Sequence, residues 1–192
     1  CNMDLILVTG KIRDISKMAV NKLLALLTMV MQVYLLSVVL MALIIFVGMG
    51  IQGWDSSIQI IYFTSIYNLN FLEATIICFI TTILGIIVII YGAAFLNLLL
   101  RNRFSTLVIS IITAFLPLVL LRFPLPHGII KVLKLFPVNM SNVILILNSL
   151  EQFRFGFLNL SVTNMFVIVS MIIIILLIKV IPDLFFKFLS RE

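Results

Sequence analysis

The chain has 192 residues, of which 64% are hydrophobic and only 10% are charged, whereas an ordinary soluble domain is about half apolar and about a quarter charged. This composition excludes a water-soluble globular domain and predicts a membrane protein, in which the number of apolar segments matters more than the size of one core. The net charge of +6 does not indicate a nucleic-acid partner, because the basic residues are scattered near the ends of the apolar segments. We therefore expect an all-α, polytopic bundle of transmembrane helices that forms a single domain, residues 1–192.

The first 22 residues form a mixed-charge segment that precedes the first long apolar run. Ile12 and Ile15 fall on one helical face, and most of the charged side chains cover the rest of the circumference. This pattern predicts an amphipathic helix that lies along the cytoplasmic surface of the membrane, with a break at Thr9-Gly10. Attraction to anionic lipid would explain its lysines, whereas the adjacent Arg13 and Asp14 also suit docking to a cytoplasmic partner.

Four apolar stretches are long enough to cross a hydrocarbon core of about 30 Å as helices. They cover residues 23–50, 72–100, 105–121 and 165–181, and Pro117 is expected to kink the third. The loop after the first stretch has aromatic residues and no Lys or Arg, which is typical of the outer side, whereas Arg101 and Arg103 in the turn after the second are typical of the cytoplasmic side. Alternation then predicts that both ends of this chain are cytoplasmic.

The segment 123–164 has three prolines, and its apolar pieces are too short to span a membrane. Such pieces are typical of re-entrant or interfacial helices, which we expect at about 129–136 and 141–150 in an extracytoplasmic loop. Four basic residues in and beside this loop run against the positive-inside rule. Helical hairpins that dip into the outer leaflet would tolerate them.

Motifs of catalysis and of cofactor binding are missing from the sequence. It contains no phosphate-binding GxxxxGK[ST] loop, no HExxH zinc motif and no GxSxG nucleophile motif. The single histidine, His127, lies between Pro126 and Gly128, which indicates a solvated loop residue. The seven acidic residues are dispersed, and Cys1 and Cys78 have neither disulfide nor metal-site spacing. We expect a protein that is not an enzyme and that itself binds no metal or cofactor.

Polar side chains inside apolar spans are candidates for function, because an unpaired polar group in hydrocarbon is unfavourable. Contact with substrate and hydrogen bonding between helices both explain such residues. The residues in question are Gln32, Thr81, Thr82, Asn97 and Thr113. In the second span Gly85, Gly92, Ala93 and Ala94 predict a closely packed face, within a bundle or in a dimer.

Four stretches, in this order along the chain, resemble the permease subunit of bacterial ABC-2 type transporters. The first two are MDLILVTGKIRDISKMAVNK, residues 3–22, and SIYNLNFLEA, residues 65–74. The others are LLLRNRFSTLVISIITAFLPL, residues 98–118, and LFPVNMSN, residues 135–142. Together they cover nearly the whole chain. The chain would then be the later part of a six-span permease that lacks the first two spans, which agrees with its start at Cys1 and not at Met; a lipid-modified Cys1 is the alternative.

The resemblance implies a transport subunit in the bacterial cytoplasmic membrane that forms a substrate path, most simply for export. A separate ABC ATPase subunit would bind and hydrolyse ATP, and a second permease subunit, identical or different, would complete the transporter. Coupling to the ATPase is expected at two cytoplasmic places. They comprise Thr9, Gly10, Arg13, Asp14 and Lys17, and the turn with Arg101 and Arg103.

Two other functions fit the same features. One is the membrane subunit of a small-molecule importer that binds its substrate in a pocket near the outer face, which predicts a complete six-span chain. The other is a membrane scaffold or assembly factor without transport activity, which needs no coupling segment.

Overall fold

The computed structural model describes residues 2–50, 53–61, 65, 67–100, 102–140, 142, 152–155 and 158–189, with backbone only for 2–16, 18–19, 49, 155, 158 and 182–189. The described part has four long helices, two short α-helices, a 3-10 helix at Ile58–Ile60 and one β-hairpin. The long helices are α1 (Asn2–Met49), α2 (Phe71–Leu100), α3 (Arg103–Leu120) and α6 (Val162–Leu189). The shorter elements are α4 (His127–Lys134), α5 (Pro137–Met140), β1 (Gln152–Phe155) and β2 (Leu158–Ser161).

Four helices are long and apolar enough to cross a membrane, which confirms the predicted transmembrane bundle. The candidate spans are Val20–Gly48, Phe71–Leu100, Arg103–Leu120 and Val162–Ile181, and each boundary lies within three residues of its predicted place. No more than 11% of any of these segments is buried inside the protein. Their exposed leucine, isoleucine, valine and methionine side chains therefore form a surface suited to lipid.

Hydrogen bonds and a ring contact establish the relative directions of the helices. The Tyr67 hydroxyl donates to Thr163 Oγ1 at 3.1 Å, so α2 and α6 start at the same end of the bundle. The Thr106 hydroxyl donates to Asn97 Oδ1 at 3.4 Å, so the chain reverses between the end of α2 and the start of α3. The ring of Phe46, near the end of α1, stacks on Trp54 with 5.6 Å between ring centres. The Trp54 carbonyl accepts from the N–H of Leu72 at 3.3 Å, so the end of α1 lies near the start of α2. The start of the first span, the α2–α3 turn and the end of α6 consequently lie at one end, as the predicted alternation requires.

Side-chain caps explain why α2 and α3 begin where they do. The Glu73 carboxylate accepts from the backbone N–H of Asn70 at 3.0 Å, as in a capping box. Asn102 Oδ1 accepts from the N–H groups of Phe104 and Ser105 at 3.0 and 3.4 Å. The Thr106 hydroxyl donates to the Asn102 carbonyl at 2.8 Å. This short connection holds α2 and α3 together as a helical hairpin.

Helix α1 runs without interruption through Thr9 and Gly10, so the predicted break at these residues is wrong. One glycine inside a helix costs only about 1 kcal/mol relative to alanine, and no proline lies nearby to remove a backbone hydrogen bond. The helix instead ends at Gly50, whose φ of 73° is the left-handed conformation that glycine adopts readily. The Gly50 N–H donates to the Phe46 carbonyl at 3.1 Å.

The segment between α3 and α6 differs in part from its prediction. Helix α4 agrees approximately with the helix expected at 129–136, whereas the one expected at 141–150 lies, apart from Asn142, outside the described residues. The antiparallel hairpin, with Gln152 opposite Ser161, was not predicted. Its strands of four residues are shorter than the usual five to six. Their alternation of polar and apolar residues is also hard to detect in a sequence that is mostly apolar. Helix α3 continues through Pro117, which is buried.

A small buried core lies near the starts of α2 and α6. Its fully buried members come from the 3-10 helix, α2, α5 and α6, and they are Ile58, Ala74, Met140, Val162 and Phe166. Phe153 of the hairpin packs against this cluster. The core therefore attaches the segment between α3 and α6 to the helical bundle.

Candidate functional site

The short helix α5 packs against the middle of α2. A Cβ atom built on Gly85 would lie 3.3 Å from the Pro137 carbonyl oxygen and 3.5 Å from the Pro137 Cβ. Gly85 lies about 21 Å along α2 from its first residue, at 1.5 Å per residue. The chain therefore leaves the end of α3, passes through α4 and returns to a level halfway along a membrane-spanning helix, which is the geometry expected of a re-entrant segment.

A cavity of about 340 Å³ lies beside this contact, between α2, α3, α6 and the segment that joins α4 to α5. Ligand pockets in proteins occupy about 300–1,000 Å³, so this cavity is large enough for a small ligand or part of a longer one. The principal wall residues are Val88, Gly92, Leu96, Ser110, Thr113, Val132, Phe136, Pro137, Val169 and Ile173.

The walls of the cavity are almost entirely apolar, and two hydroxyl groups are the polar exceptions. Thr113 donates to its own helix, to the Ile109 carbonyl at 2.7 Å. The Ser110 hydroxyl is buried and has no hydrogen-bond partner among the described residues. The cavity can therefore accept an apolar ligand, and Ser110 can offer it a hydrogen bond; its described wall residues include no charged or nucleophilic pair for covalent chemistry.

Asn139 holds the segment that forms one wall of the cavity. Its side chain is completely buried, and Nδ2 donates to the Leu133 carbonyl of α4 at 2.6 Å. This bond joins the end of α4 to α5 across the intervening turn. The Asn139 Oδ1 atom has no partner among the described residues, which makes it an unsatisfied acceptor at the level of the α2 midpoint.

A smaller pocket of about 180 Å³ lies between the starts of α2 and α6. Tyr67, Thr81, Thr163 and Asn164 contribute to its wall. Thr81 is almost fully buried, and its hydroxyl donates to the carbonyls of Ile77 and Cys78 at 3.0 Å. The Tyr67–Thr163 hydrogen bond crosses this pocket and links the loop before α2 to α6.

Removing that hydrogen bond by Tyr67→Phe is expected to lower the free energy of unfolding by about 0.5–1.5 kcal/mol, the net value of a typical hydrogen bond. Denaturation of the purified variant in mixed detergent micelles measures this loss. Tyr91→Phe serves as the control, because Tyr91 is a half-buried tyrosine of the same helix bundle and has no hydrogen bond among the described residues. Equal losses in the two variants would show that the Tyr67–Thr163 bond contributes nothing specific.

The five polar residues predicted for a substrate path do not lie together. Thr113 lines the larger cavity and Thr81 the smaller pocket. Thr82 is half-buried and donates to the Cys78 carbonyl at 2.7 Å. Asn97 is exposed and accepts from the Thr106 hydroxyl at 3.4 Å, across α2 and α3. Gln32 lies apart from both cavities on an exposed face of α1.

The residues predicted to contact an ATPase lie mostly beyond what the structure describes. Thr9, Gly10, Arg13 and Asp14 belong to α1 by their backbone, but their side chains are outside the described part, as is all of Arg101. Lys17 and Arg103 are exposed. They lie at the same end of the bundle, where α1 enters its span and α3 begins.

Four functional candidates emerge from packing and not from sequence motifs. Ser110, Asn139, Pro137 and Gly85 surround or position the larger cavity, and only Gly85 drew attention in the sequence, as one of several small residues. The run LFPVNMSN was noted for its resemblance, without a role for Asn139. Among the described residues no group of three His, Cys, Asp or Glu side chains lies close enough to hold a metal ion.

Comparison of the chain with protein-family models, with curated proteins and with solved structures finds no match in any of the three.

Proposed function

We propose that this chain is the membrane permease subunit of an ABC-2 type transporter, most simply an exporter, driven by a separate ATPase subunit. It would form the substrate path and hydrolyse no ATP itself. The proposal rests on the four stretches that resemble this family, together with the helical bundle and its re-entrant segment ahead of the last span. A substrate-binding importer subunit and a membrane scaffold are the alternatives that the experiment below separates from it.

The observation that carries the proposal is the continuity of α1. Residues 2–19 precede the spanning segment Val20–Gly48 within one helix and extend about 27 Å beyond it, at 1.5 Å per residue. A partner that pushes on Thr9, Arg13 or Asp14 would move the spanning part directly, because no break in the helix absorbs the motion. A rigid extension of this kind suits a subunit that receives mechanical work from an ATPase.

The distribution of basic residues supports a cytoplasmic position for this extension. Of the 13 Lys and Arg residues, four lie between residues 122 and 154, and the rest belong by their place in the chain to the end that holds the α1 extension. An excess of Lys and Arg marks the cytoplasmic side of membrane proteins. We therefore place the ATPase at the end that includes Lys17 and the α2–α3 turn.

The apolar cavity supports a hydrophobic cargo. It lies within the membrane-spanning part of the bundle, and Ser110 lends it a hydroxyl group that has no hydrogen-bond partner among the described residues. Peptides with apolar side chains, lipids and hydrophobic drugs all present apolar surface, which packs favourably against apolar walls. Since α4 and α5 form one wall, a shift of this segment against α2 would change the volume of the cavity.

Replacing Arg13 and Asp14 together with alanine is expected to abolish stimulation of the partner ATPase and to leave assembly of the membrane subunit intact. The physical reason is that the double variant removes two charged contacts without changing the net charge. The measurement is expression of the chain in bacterial membranes, gentle extraction, identification of any co-purifying ATPase, and assay of ATP hydrolysis by the complex. The control is Asp55→Ala with Arg154→Ala, two exposed residues at the opposite end.

The outcomes separate the candidate functions. Co-purification of an ATPase whose activity falls in the Arg13/Asp14 variant and not in the control supports the permease. Unchanged hydrolysis and transport would contradict the assignment of coupling to this segment. A chain that never retains an ATPase would be a scaffold, and one that retains a small molecule through purification would be a binding subunit.

A further inference from the structure

The spanning part of α1 has two distinct faces. One face carries half-buried side chains, including Leu27, Val30, Tyr34 and Val38, and packs on the bundle through contacts such as Tyr34 with Phe79. The opposite face, which we call the outer stripe, consists of the exposed residues Ala25, Thr28, Gln32, Leu36 and Val39. Their spacing of three and four places them on one side of a helix. Within the described chain nothing covers this stripe.

Among the residues of the outer stripe, Gln32 has the side chain that is least favourable in contact with lipid. It lies two residues from the centre of Val20–Gly48, about 3 Å from the middle of the span. Thr28 and Ser37 satisfy their hydroxyls within the helix, by bonds to Ala25 and Val33 at 2.9 and 2.8 Å. The carboxamide of Gln32 is exposed and has no hydrogen bond among the described residues. Two N–H donors and an oxygen acceptor would therefore face hydrocarbon, which polar groups in membrane helices avoid by pairing.

A second copy of the same chain supplies the missing partner by symmetry. Two copies inserted in the same direction are related by a two-fold axis along the membrane normal, which brings equal residues to equal depths. Gln32 of one copy would meet Gln32 of the other, and a carboxamide is both donor and acceptor, so the pair is self-complementary. A different protein would need a polar side chain at that same depth. The span from residue 23 to residue 48 contains no charged residue, so like charges do not oppose the contact.

We propose that the outer stripe of α1 is the interface of a homodimer, in which the two Gln32 side chains hydrogen-bond across the two-fold axis near the centre of the membrane. The small residues Ala25 and Thr28 allow the two helices to approach closely on one side of this pair. Leu36 and Val39 pack on the other side. The inference deepens the proposed function, because it makes the second permease subunit identical and names its contact, but it requires no ATPase.

The test is cysteine cross-linking in membranes of cells that express the full chain without any partner. In a background with Cys1→Ser and Cys78→Ala, Thr28→Cys, which changes an outer-stripe residue and keeps Gln32, is oxidised and the disulfide-linked dimer is measured. Ser37→Cys is the matched control, since Ser37 is an exposed polar residue of the same span that lies about 140° around the helix from Gln32. We expect several-fold more dimer from Thr28→Cys than from the control.

A second measurement uses Gln32→Leu, which keeps the helix and removes the amide. Hydrogen bonds between membrane helices correspond to roughly a 3- to 30-fold change in an equilibrium constant, so the dissociation constant of the dimer in detergent should rise by that factor. Equal cross-linking at positions 28 and 37, a cross-link to another protein, or a dimer unaffected by Gln32→Leu would each overturn the proposal. Dimerisation without a co-purifying ATPase would preserve this inference and contradict the permease, and the reverse result would do the opposite.

Discussion

Replacing Asn139 with aspartate is expected to destabilise the protein by about 3–5 kcal/mol at neutral pH, the range for an uncompensated buried charge. The side chain at this position is completely buried, and the amide that donates to the Leu133 carbonyl would become a carboxylate oxygen facing another acceptor. The loss of stability has one of two origins. The carboxylate is buried as a charge, or it is buried after protonation, which itself costs free energy at neutral pH. Unfolding by denaturing detergent in mixed micelles measures the change.

The same variant should become more stable as the pH falls. Burial raises the pKa of a carboxyl in the folded state above its unfolded value of about 3.9, so the folded protein binds more protons than the unfolded one at neutral pH. Its stability therefore decreases with rising pH and is regained as the pH falls from 7 towards 4. A protonated carboxyl could also donate to the Leu133 carbonyl.

The matched variant is Asn139→Leu, which has a similar shape and no polar atoms. It loses one hydrogen bond, worth about 1 kcal/mol, but it also removes the unsatisfied Oδ1. The Leu133 carbonyl keeps the backbone N–H of Phe136 as a donor at 3.1 Å. We expect a net change within about 1 kcal/mol. A loss as large as that of the aspartate variant would mean that Oδ1 has a partner in the working protein.

Introducing a branched side chain at Gly85 is expected to cost about 1–3 kcal/mol, the usual range for overpacking. Valine is the appropriate change, because its Cβ would meet the Pro137 carbonyl at 3.3 Å and its two methyl groups would extend further into α5. Two of the three nearest atoms are backbone and the third is the Cβ of the Pro137 ring, and none of them can turn aside as the end of a flexible side chain can. The free energy of unfolding of Gly85→Val, relative to the unchanged protein, is the quantity to measure.

Gly92→Val provides the control within the same helix. Nothing lies within 4 Å of a Cβ atom at Gly92, because this residue borders the larger cavity. Valine is a slightly better helix former than glycine, so we expect stability to be unchanged or slightly raised. Losses of the same size at both positions would show that α5 does not press on α2 at Gly85.

The spans and their directions relative to one another could be predicted from the sequence, because both depend on local properties. A run of apolar residues must cross the bilayer as a helix whatever it packs against, and Asn102 in its two-residue turn brings α3 back alongside α2. The small residues of α2 predicted a close contact but not its partner. At Gly85 that partner is the short helix α5. Gly92 borders the larger cavity, and no described atom lies within 4 Å of a Cβ built there, so the close packing predicted at this residue is wrong within the described bundle.

The candidate site could not be predicted in the same way, since it depends on contacts between distant parts of the chain. The depth of α4 and α5 follows from Met140 in the core and from Pro137 against Gly85, and neither contact leaves a periodic pattern. Asn139 resembles any polar residue of a turn until its burial is known. The break expected at Gly10 is a different error. The helix-destabilising effect of one glycine, about 1 kcal/mol, was given more weight than the continuity of a long helix.

The unequal lengths of the spanning helices have a consequence for the surrounding lipid. The 18 residues of α3 measure about 27 Å, whereas the 30 residues of α2 measure about 45 Å. One bilayer thickness cannot match both, so the longer helices must tilt or the membrane must thin beside α3. To the extent that tilting does not remove this mismatch, the protein imposes a gradient of bilayer thickness around its perimeter. Its conformational preferences should depend on acyl-chain length, with short-chain lipids gathering along α3.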